Sequence, residues 1–467
     1  MTTNAVGILW ILALIYMGVI WWRSPKNVDS SGFFTGRRAD GKEPSLGLLV
    51  ASAAISWIFA KSIVNAANLS NTFGFLGGLG YGIYYLSFIV AGGAFYLMRT
   101  RTSYTSLPAF LRGKYGRVGM RLFLLAVGIR LYNEVWSNTK VVGTFFGEEG
   151  SLQYWLAVLV FTVFTVLYTW RGGLHSSLLT DAIQMMFAGI LLIIILAVIA
   201  PPLAKDWPQR SPEIADEALT FCLLAFVQIF SYPFHDPVLT DRAFITNPKT
   251  MLKGFILAGF LSGLFIVLFS LVGIFANHQG YTGDNAALTV SMSLGLPMLL
   301  IFNIMMLTSA GSTLDSTFSS AGKLGTLDWK TRHHSDKRSL GHARGLIIGL
   351  AIFGNLPLFA IYMGDHVGPA ILAATTISGT MVMGLAPIIL LSFMPTSAVN
   401  FHLAFWPGLL LGGLLAFLPG CFPEWVAIGS GKYALSTGVN IYGLAICTTG
   451  FILGSLITTR SKPTRRI

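Results

Sequence analysis

Thirteen apolar stretches, each near the roughly 20 residues a helix needs to cross a bilayer, run along the chain. They fall at 5–22, 45–69, 74–98, 118–146, 152–170, 178–203, 217–235, 251–276, 290–322, 344–363, 368–394, 401–419 and 437–458. The polar residues between them form short connections, the largest being "DWKTRHHSDKRSLGHAR" at 328–344, so no connection holds a soluble domain. The pattern predicts one all-α membrane domain of about 13 transmembrane helices.

Three stretches break the apolar pattern from within. Span two, "SLGLLVASAAISWIFAKSIVNAANLSNTFG", carries small residues at its middle and a charged Lys61 beyond them. Span seven ends in "FSYPFHDPV", where Pro233 and Pro237 each remove a backbone donor. Irregular backbone at membrane depth persists only where protein or a watery cavity satisfies it. Spans two and seven open two groups of five spans, and interrupted helices in corresponding positions point to an inverted-repeat architecture with a site near the midplane. The expected division is 1–44 for the first span and its loop, 45–203 and 217–394 for the two core repeats, and 395–467 for two further spans and a tail.

The third stretch is "LTSAGSTLDSTFSSAG" at 307–322, where Thr308, Ser312, Asp315 or Ser316, and Ser319 recur at three- and four-residue spacing. That spacing lines one face of a helix. Hydroxyl oxygens and carbonyls can replace the hydration shell of a small hard cation, whereas the same residue types also pack helices together in membranes. Both readings stand on the residues alone, and for Ser316, Thr317, Ser319 and Ser320 packing or an exit path is the simpler one.

Composition agrees with a membrane protein: 54% of residues are apolar and only 11% charged, against the roughly 25% charge of soluble domains. Of 31 Lys and Arg, six (Lys61, Arg121, Arg130, Lys140, Lys253 and Lys323) fall within or at the ends of spans. With the N-terminus outside, only Lys205, Arg210 and Lys432 lie on the outer face, and the other 22, Arg242 among them, lie on cytoplasmic connections and the tail. Retention of basic residues in the cytoplasm therefore predicts an N-out, C-in protein of the cell membrane. The net charge of +12 is this orientation signal plus attraction to anionic lipid, not a nucleic-acid footprint. No basic residue precedes the first span and Arg23 follows it, unlike a cleaved signal. Cys222, Cys421 and Cys447 lack metal-ligand spacing, and His333 and His334 sit amid Lys and Arg in a solvated loop.

Charges inside spans are the remaining candidates. Arg130 and Glu134 in "RLYNEVWSNTK" stand four apart and pair along one helical face, while Arg121 and Lys140 snorkel at the two ends of that span. Lys61 admits three readings: it receives a carboxylate on a solute, it pairs internally with a group such as Glu134, or it is neutral in an apolar site.

At 151–176 the chain reads "SLQYWLAVLVFTVFTVLYTWRGGLHS" and continues as "SSLLTDAIQMM". Ser151 and Tyr154 before an apolar block, then Tyr168, Thr169, Gly172, Gly173, Leu174 and Ser176, then Thr180, Asp181 and Gln184, resemble the signature of the solute:sodium symporter family, relatives of the sodium/proline and sodium/glucose symporters. The "DPVLTDRAF" loop and the hydroxyl-rich ninth span follow in the same order. The resemblance implies a leucine-transporter-like fold, a ten-helix core of two inverted five-helix repeats. It implies a coupling Na+ held by the hydroxyls of Thr308 and Ser309 and the carbonyls of Met305, Ala54 and Trp57. Asp181 would join Thr308 and Ser312 at a second sodium or line the exit path, although Gly311 stands where two-sodium members carry a further Ser. Ser56, Lys61, Tyr85 and Ser312 are the implied solute contacts, Lys61 standing where sugar-transporting relatives place a Gln. The implied function is Na+-coupled import of a small organic solute, an amino acid or carboxylate, by alternating access within the bilayer. No enzymatic chemistry, nucleic acid or known protein partner is implied. The rival is a transporter-shaped sensor that signals to a partner.

Overall fold

The computed structural model describes residues 3–25, 28–37, 41–281, 283–330 and 332–461, and these form helices, turns and coil only. Lys26, Arg38, Lys462, Arg465 and Arg466, counted above as cytoplasmic, lie outside the described residues. The chain opens with α1 (Thr3–Arg23) and the short α2 (Ser30–Thr35), which Asp29 caps by accepting the Gly32 N–H. The segment expected to form the first repeat carries α3 (Leu46–Trp57), α4 (Ala60–Phe73), α5 (Phe75–Ile83), α6 (Ser87–Arg101), α7 (Leu107–Thr144) and α8 (Leu152–Lys205). The segment expected to form the second carries α9 (Pro212–Gln228), α10 (Pro237–Arg242), α11 (Pro248–His278), α12 (Ala286–Ser293), α13 (Leu296–Lys323), α14 (Lys337–Gly354), α15 (Gly364–Ala374) and α16 (Leu385–Leu390). An outer pair, α17 (Ala398–Phe417) and α18 (Ala434–Ser461), completes the chain.

Every apolar stretch of the sequence carries helix, yet among the described residues only eight helical segments, or nine with one bent pair, are long and apolar enough to cross a membrane unaided. The difference lies in where helices turn. The 54-residue α8 covers two stretches and turns at Gly173, whose φ of 52° and ψ of −141° suit only glycine. A Cβ there would also stand 2.5 Å from the Phe33 carbonyl oxygen, so the double-glycine turn lets α2 lie directly against α8. α7 carries buried Arg130 and Glu134, and α9, at 17 residues, stops before the Tyr232–His235 turn that Pro233 begins.

The bent pair is α3 and α4, whose axes differ by 60° across Ile58 and Phe59. The bend falls just beyond the expected Ala54-to-Trp57 segment, and neither bend residue is Gly or Pro. A third interruption, between α15 and α16, contains the "TTISGT" segment at 375–380, which the sequence pattern merges into one apolar stretch.

α13 lies at the centre, packed by α8, α7, α3, α14 and α1. Residues 305–320 on it are all buried, which places its hydroxyl-rich face inside protein. Large apolar side chains such as Trp22, Leu152 and Ile193 instead face outward on peripheral helices, where lipid would meet them.

Candidate cation and solute sites

The bend of α3 and α4 leaves carbonyls without helical partners, and distant residues take them up. Tyr85 Oη donates to the Trp57 carbonyl at 2.9 Å, and Ser309 Oγ donates to the Ile58 carbonyl. The Ala54 carbonyl accepts the Ile58 N–H at 3.1 Å. Beside Ser309, Thr308 Oγ1 is wholly buried and makes no well-formed hydrogen bond, the Tyr16 hydroxyl being its polar neighbour. Met305, fully buried, stands one turn before Ser309 on the same face. Tyr16 reaches in from α1, donating to the Leu307 carbonyl at 3.4 Å and accepting from Gln184 Nε2 at 2.8 Å.

A second polar cluster lies among α3, α8, α10 and α13. Asp181 accepts from Ser52 at 2.5 Å, from Ser56 and Ser177 at 3.3 Å, and from Ser312. Arg242, read from sequence as part of a cytoplasmic connection, is instead fully buried, with Nη2 2.9 Å from Asp181 Oδ2. The turn that Pro233 and Pro237 produce folds the segment back into protein, and α10 delivers the guanidinium to the cluster. Asp315 faces the cluster from α13 and is filled by hydroxyls, accepting from Ser177 at 2.7 Å, Ser316 at 3.2 Å, and Tyr168 and Thr180 at 2.9 Å.

A cavity of about 610 Å³ opens on the other side of the Trp57 ring, lined by Trp57, Lys61, Tyr81, Tyr85, Arg130, Asn133, Trp136, Gln228, Tyr232 and the unwound 376–380 segment, among others. Its charges form a chain. Lys61 Nζ lies 2.7 Å from Glu134 Oε1 and 3.2 Å from Asn133 Oδ1. Arg130 Nη2 lies 2.6 Å from the same Glu134 oxygen, the expected pair four residues apart, and 3.2 Å from Asp236 Oδ2. Asp236 in turn accepts the N–H groups of Val238 and Leu239 at the start of α10. Three buried donors in this wall, Trp57 Nε1, Trp136 Nε1 and Arg130 Nε, have no acceptor among the described residues. A second cavity of about 650 Å³ has a basic wall that includes Arg37, Arg112, Lys323, Arg332, His333 and His334.

The residues expected at one solute site therefore separate. Lys61 and Tyr85 line the 610 Å³ cavity, whereas Ser56 and Ser312 belong to the Asp181 cluster. The residues expected at the first sodium stay together: Ala54 and Trp57 beside the bend, Thr308 and Ser309 opposite it, with Met305 one turn away. The sequence reading passed over Ile58, the carbonyl that Ser309 meets, along with Arg242, Asp236, and the roles of Tyr16 and Gln184. Two prolines flanking an acidic residue were the available signal for Asp236.

No protein-family model matches the chain, nor does any curated protein. Among solved structures, 100% of the chain matches 99% of a substrate-bound, outward-open Na+-coupled sialic acid symporter, with 14% identity and a TM-score of 0.71. A nucleobase-cation-symport-1 family transporter, closed with bromovinylhydantoin bound, is matched over 96% of its chain by 93% of this one, with 12% identity and a TM-score of 0.51. At these identities the likeness is one of fold, and the all-α, leucine-transporter-like architecture of this chain is its conclusion.

Proposed function

We propose that the chain is a Na+-coupled secondary transporter that imports a small organic solute by alternating access and performs no chemistry on it. One observation carries the reading: the buried hydroxyl of Thr308, without a well-formed hydrogen bond, stands beside Ser309, where Ser309 meets the Ile58 carbonyl at the bend of α3 and α4. Hydroxyl and carbonyl oxygens are a fitting donor set for a small hard cation. Thr308, Ser309 and the carbonyls of Met305, Ala54, Trp57 and Ile58 would hold sodium, joining the first repeat to the second. Bound sodium supplies a charge that crosses with the solute, and each charge moved through 100 mV contributes about 2.3 kcal/mol, enough for about fifty-fold accumulation.

The solute belongs in the cavity beside Lys61 and Tyr85. The Lys61 side chain, 18% exposed, and the Arg130 guanidinium in the same wall favour an anionic solute, an amino acid or other carboxylate. Lys61 already has Glu134, but Glu134 also accepts from Arg130 and Asn138. Lys61 can therefore turn to a solute carboxylate without stranding Glu134. The basic second cavity fits a cytoplasmic face that releases an anionic solute, consistent with an N-out, C-in orientation in the cell membrane.

The test uses the purified chain in proteoliposomes with a panel of labelled amino acids, short monocarboxylates, sugars and urea, comparing inward gradients of Na+ and K+. Uptake of a carboxylate driven by Na+ alone is expected. Equal uptake with K+ removes the coupling, and a best substrate without a carboxylate removes the substrate class. Binding without counterflow establishes the rival, a sensor.

A further inference from the structure

We infer that Arg242 is the second cation of this chain's coupling machinery, a resident guanidinium on the Asp181 carboxylate that a second sodium would use, so that each cycle carries one sodium. The inference rests on the sodium-transport reading above. The resemblance offers Asp181 as a second sodium site or an exit-path residue, and the residues present do not fit a second sodium.

The first observation is how Arg242 is surrounded. Its Nη2 lies 2.8 Å from Ser316 Oγ, 2.9 Å from Ser56 Oγ and Asp181 Oδ2, and 3.5 Å from Ser177 Oγ. Nε donates to Ser52 Oγ at 2.8 Å and Nη1 to the Val238 carbonyl at 2.8 Å. Every nitrogen of the group has an acceptor, and both partners of the ion pair are fully buried. Ser52 and Ser56 each donate a proton to Asp181 while offering a lone pair to Arg242. These hydroxyls are oriented around a cation already, and that cation is covalently part of the protein.

The second observation concerns the oxygen that is missing. Gly311 replaces the further hydroxyl, and its space is taken: a Cβ at 311 would stand 2.9 Å from Gln184 Nε2 and 3.0 Å from Tyr16 Oη. The other Asp181 oxygen, Oδ1, is engaged by Ser312. A sodium at Asp181 would lack one ligand and would meet a guanidinium within a few ångströms in a low-dielectric interior, where like charges repel strongly. Among the described residues no charged side chain pairs with Thr308 or Ser309, so the first site remains available.

The experiment counts bound ²²Na+ per chain on the purified protein by scintillation proximity, with choline holding ionic strength. Wild type is expected to bind one sodium at saturation, Arg242→Lys one, and Arg242→Gln two, because the variant removes the competing charge from Asp181 and its hydroxyls and its carboxamide oxygen replaces the ligand that Gly311 lacks. Two sodium ions on wild type, or one on a monodisperse Arg242→Gln, overturns the inference. If Arg242→Gln does not fold, wild type and Arg242→Lys decide it: one ion on each supports the inference, and two on either overturns it. No ²²Na+ on wild type is a different failure, since it removes the sodium reading on which this inference stands.

Discussion

Asp236 and Arg242 stand at opposite ends of the six-residue helix α10, and each is held by a different buried ion pair, Asp236 by Arg130 at 3.2 Å and Arg242 by Asp181 at 2.9 Å. One short element thus spans from the wall of the cavity beside Lys61 to the cluster on α8 and α13. In the proposed cycle, a shift of Arg130 or Glu134 would pull on the start of α10, whose end carries the guanidinium that meets Ser52, Ser56 and Ser316.

The first prediction concerns that end. Replacing Asp181 by Asn leaves a fully buried guanidinium without its counter-charge, and removing one partner of such a pair typically costs about 3–5 kcal/mol. Asp181→Asn should therefore lower thermal stability in detergent by a large margin even without Na+, and Asp181→Asn with Arg242→Gln should recover part of the loss. A single variant as stable as wild type would show that the pair is dispensable.

Sodium ligation makes a sign prediction at Thr308. The Thr308 hydroxyl is buried without a well-formed hydrogen bond, so Thr308→Val, of nearly the same shape, should be as stable as wild type without Na+. With Na+ it should lose the stabilisation wild type gains. The double variant Thr308→Ala with Ser309→Ala should raise the sodium requirement at least tenfold, equivalent to about 1.4 kcal/mol. Melting curves against Na+ concentration, with choline as control, check both. Equal sodium stabilisation in wild type and Thr308→Val would exclude this hydroxyl from the site.

How much of this was legible in the chain depends on whether the cause is local. The spans, the Pro233 and Pro237 turn, and the Arg130–Glu134 pair rest on composition or on spacing within one helix, and all can be read from neighbours in sequence. The bend at Ile58 and Phe59 has no such signal, because its carbonyls are satisfied by Tyr85 and Ser309, the latter 251 residues away. Arg242 misled for a related reason: in "DPVLTDRAF" it resembles any basic loop residue, and its partner Asp181 lies 61 residues earlier on α8. The unwound 375–380 segment did carry a signal, a run of Thr, Ser and Gly inside an apolar stretch, that a mean over the stretch conceals.

Gly173 offers a test of the fold that is independent of transport. Its φ of 52° with ψ of −141° is a backbone state that other residues avoid, and an added Cβ would meet the Phe33 carbonyl oxygen at 2.5 Å. Strain of this kind costs about 1–3 kcal/mol, and the clash with backbone adds to it. Gly173→Ala should reduce the yield of monodisperse protein and its melting temperature. By contrast Gly128→Ala, where a Cβ meets nothing within 4 Å, should leave both unaltered. Equal behaviour of the two variants would mean that α2 does not depend on this close approach.

The last prediction concerns Lys61, whose ammonium is shared between the protein and the cavity. Its Nζ sits 2.7 Å from Glu134, with 18% of the side chain exposed to the cavity side, whereas Glu134 is 2% exposed and holds Arg130 at 2.6 Å. Lys61→Gln therefore leaves Glu134 paired, so the fold and the sodium site should survive, with ²²Na+ binding within twofold of wild type. What is lost is the more exposed of the two cations in the cavity wall, Arg130 being 3% exposed, and hydrogen bonds to charged groups are worth about 1.5–3 kcal/mol. Affinity for a carboxylate solute should fall at least tenfold, while Glu134→Gln, which removes the internal partner instead, should leave Lys61 unneutralised and favour the carboxylate relative to an uncharged analogue. Binding assays on the two variants at saturating Na+ distinguish the roles. If Lys61→Gln binds the native solute with unaltered affinity, the ion pair with Glu134 is the whole function of this lysine, and the solute is recognised by the aromatic and amide groups of the cavity alone.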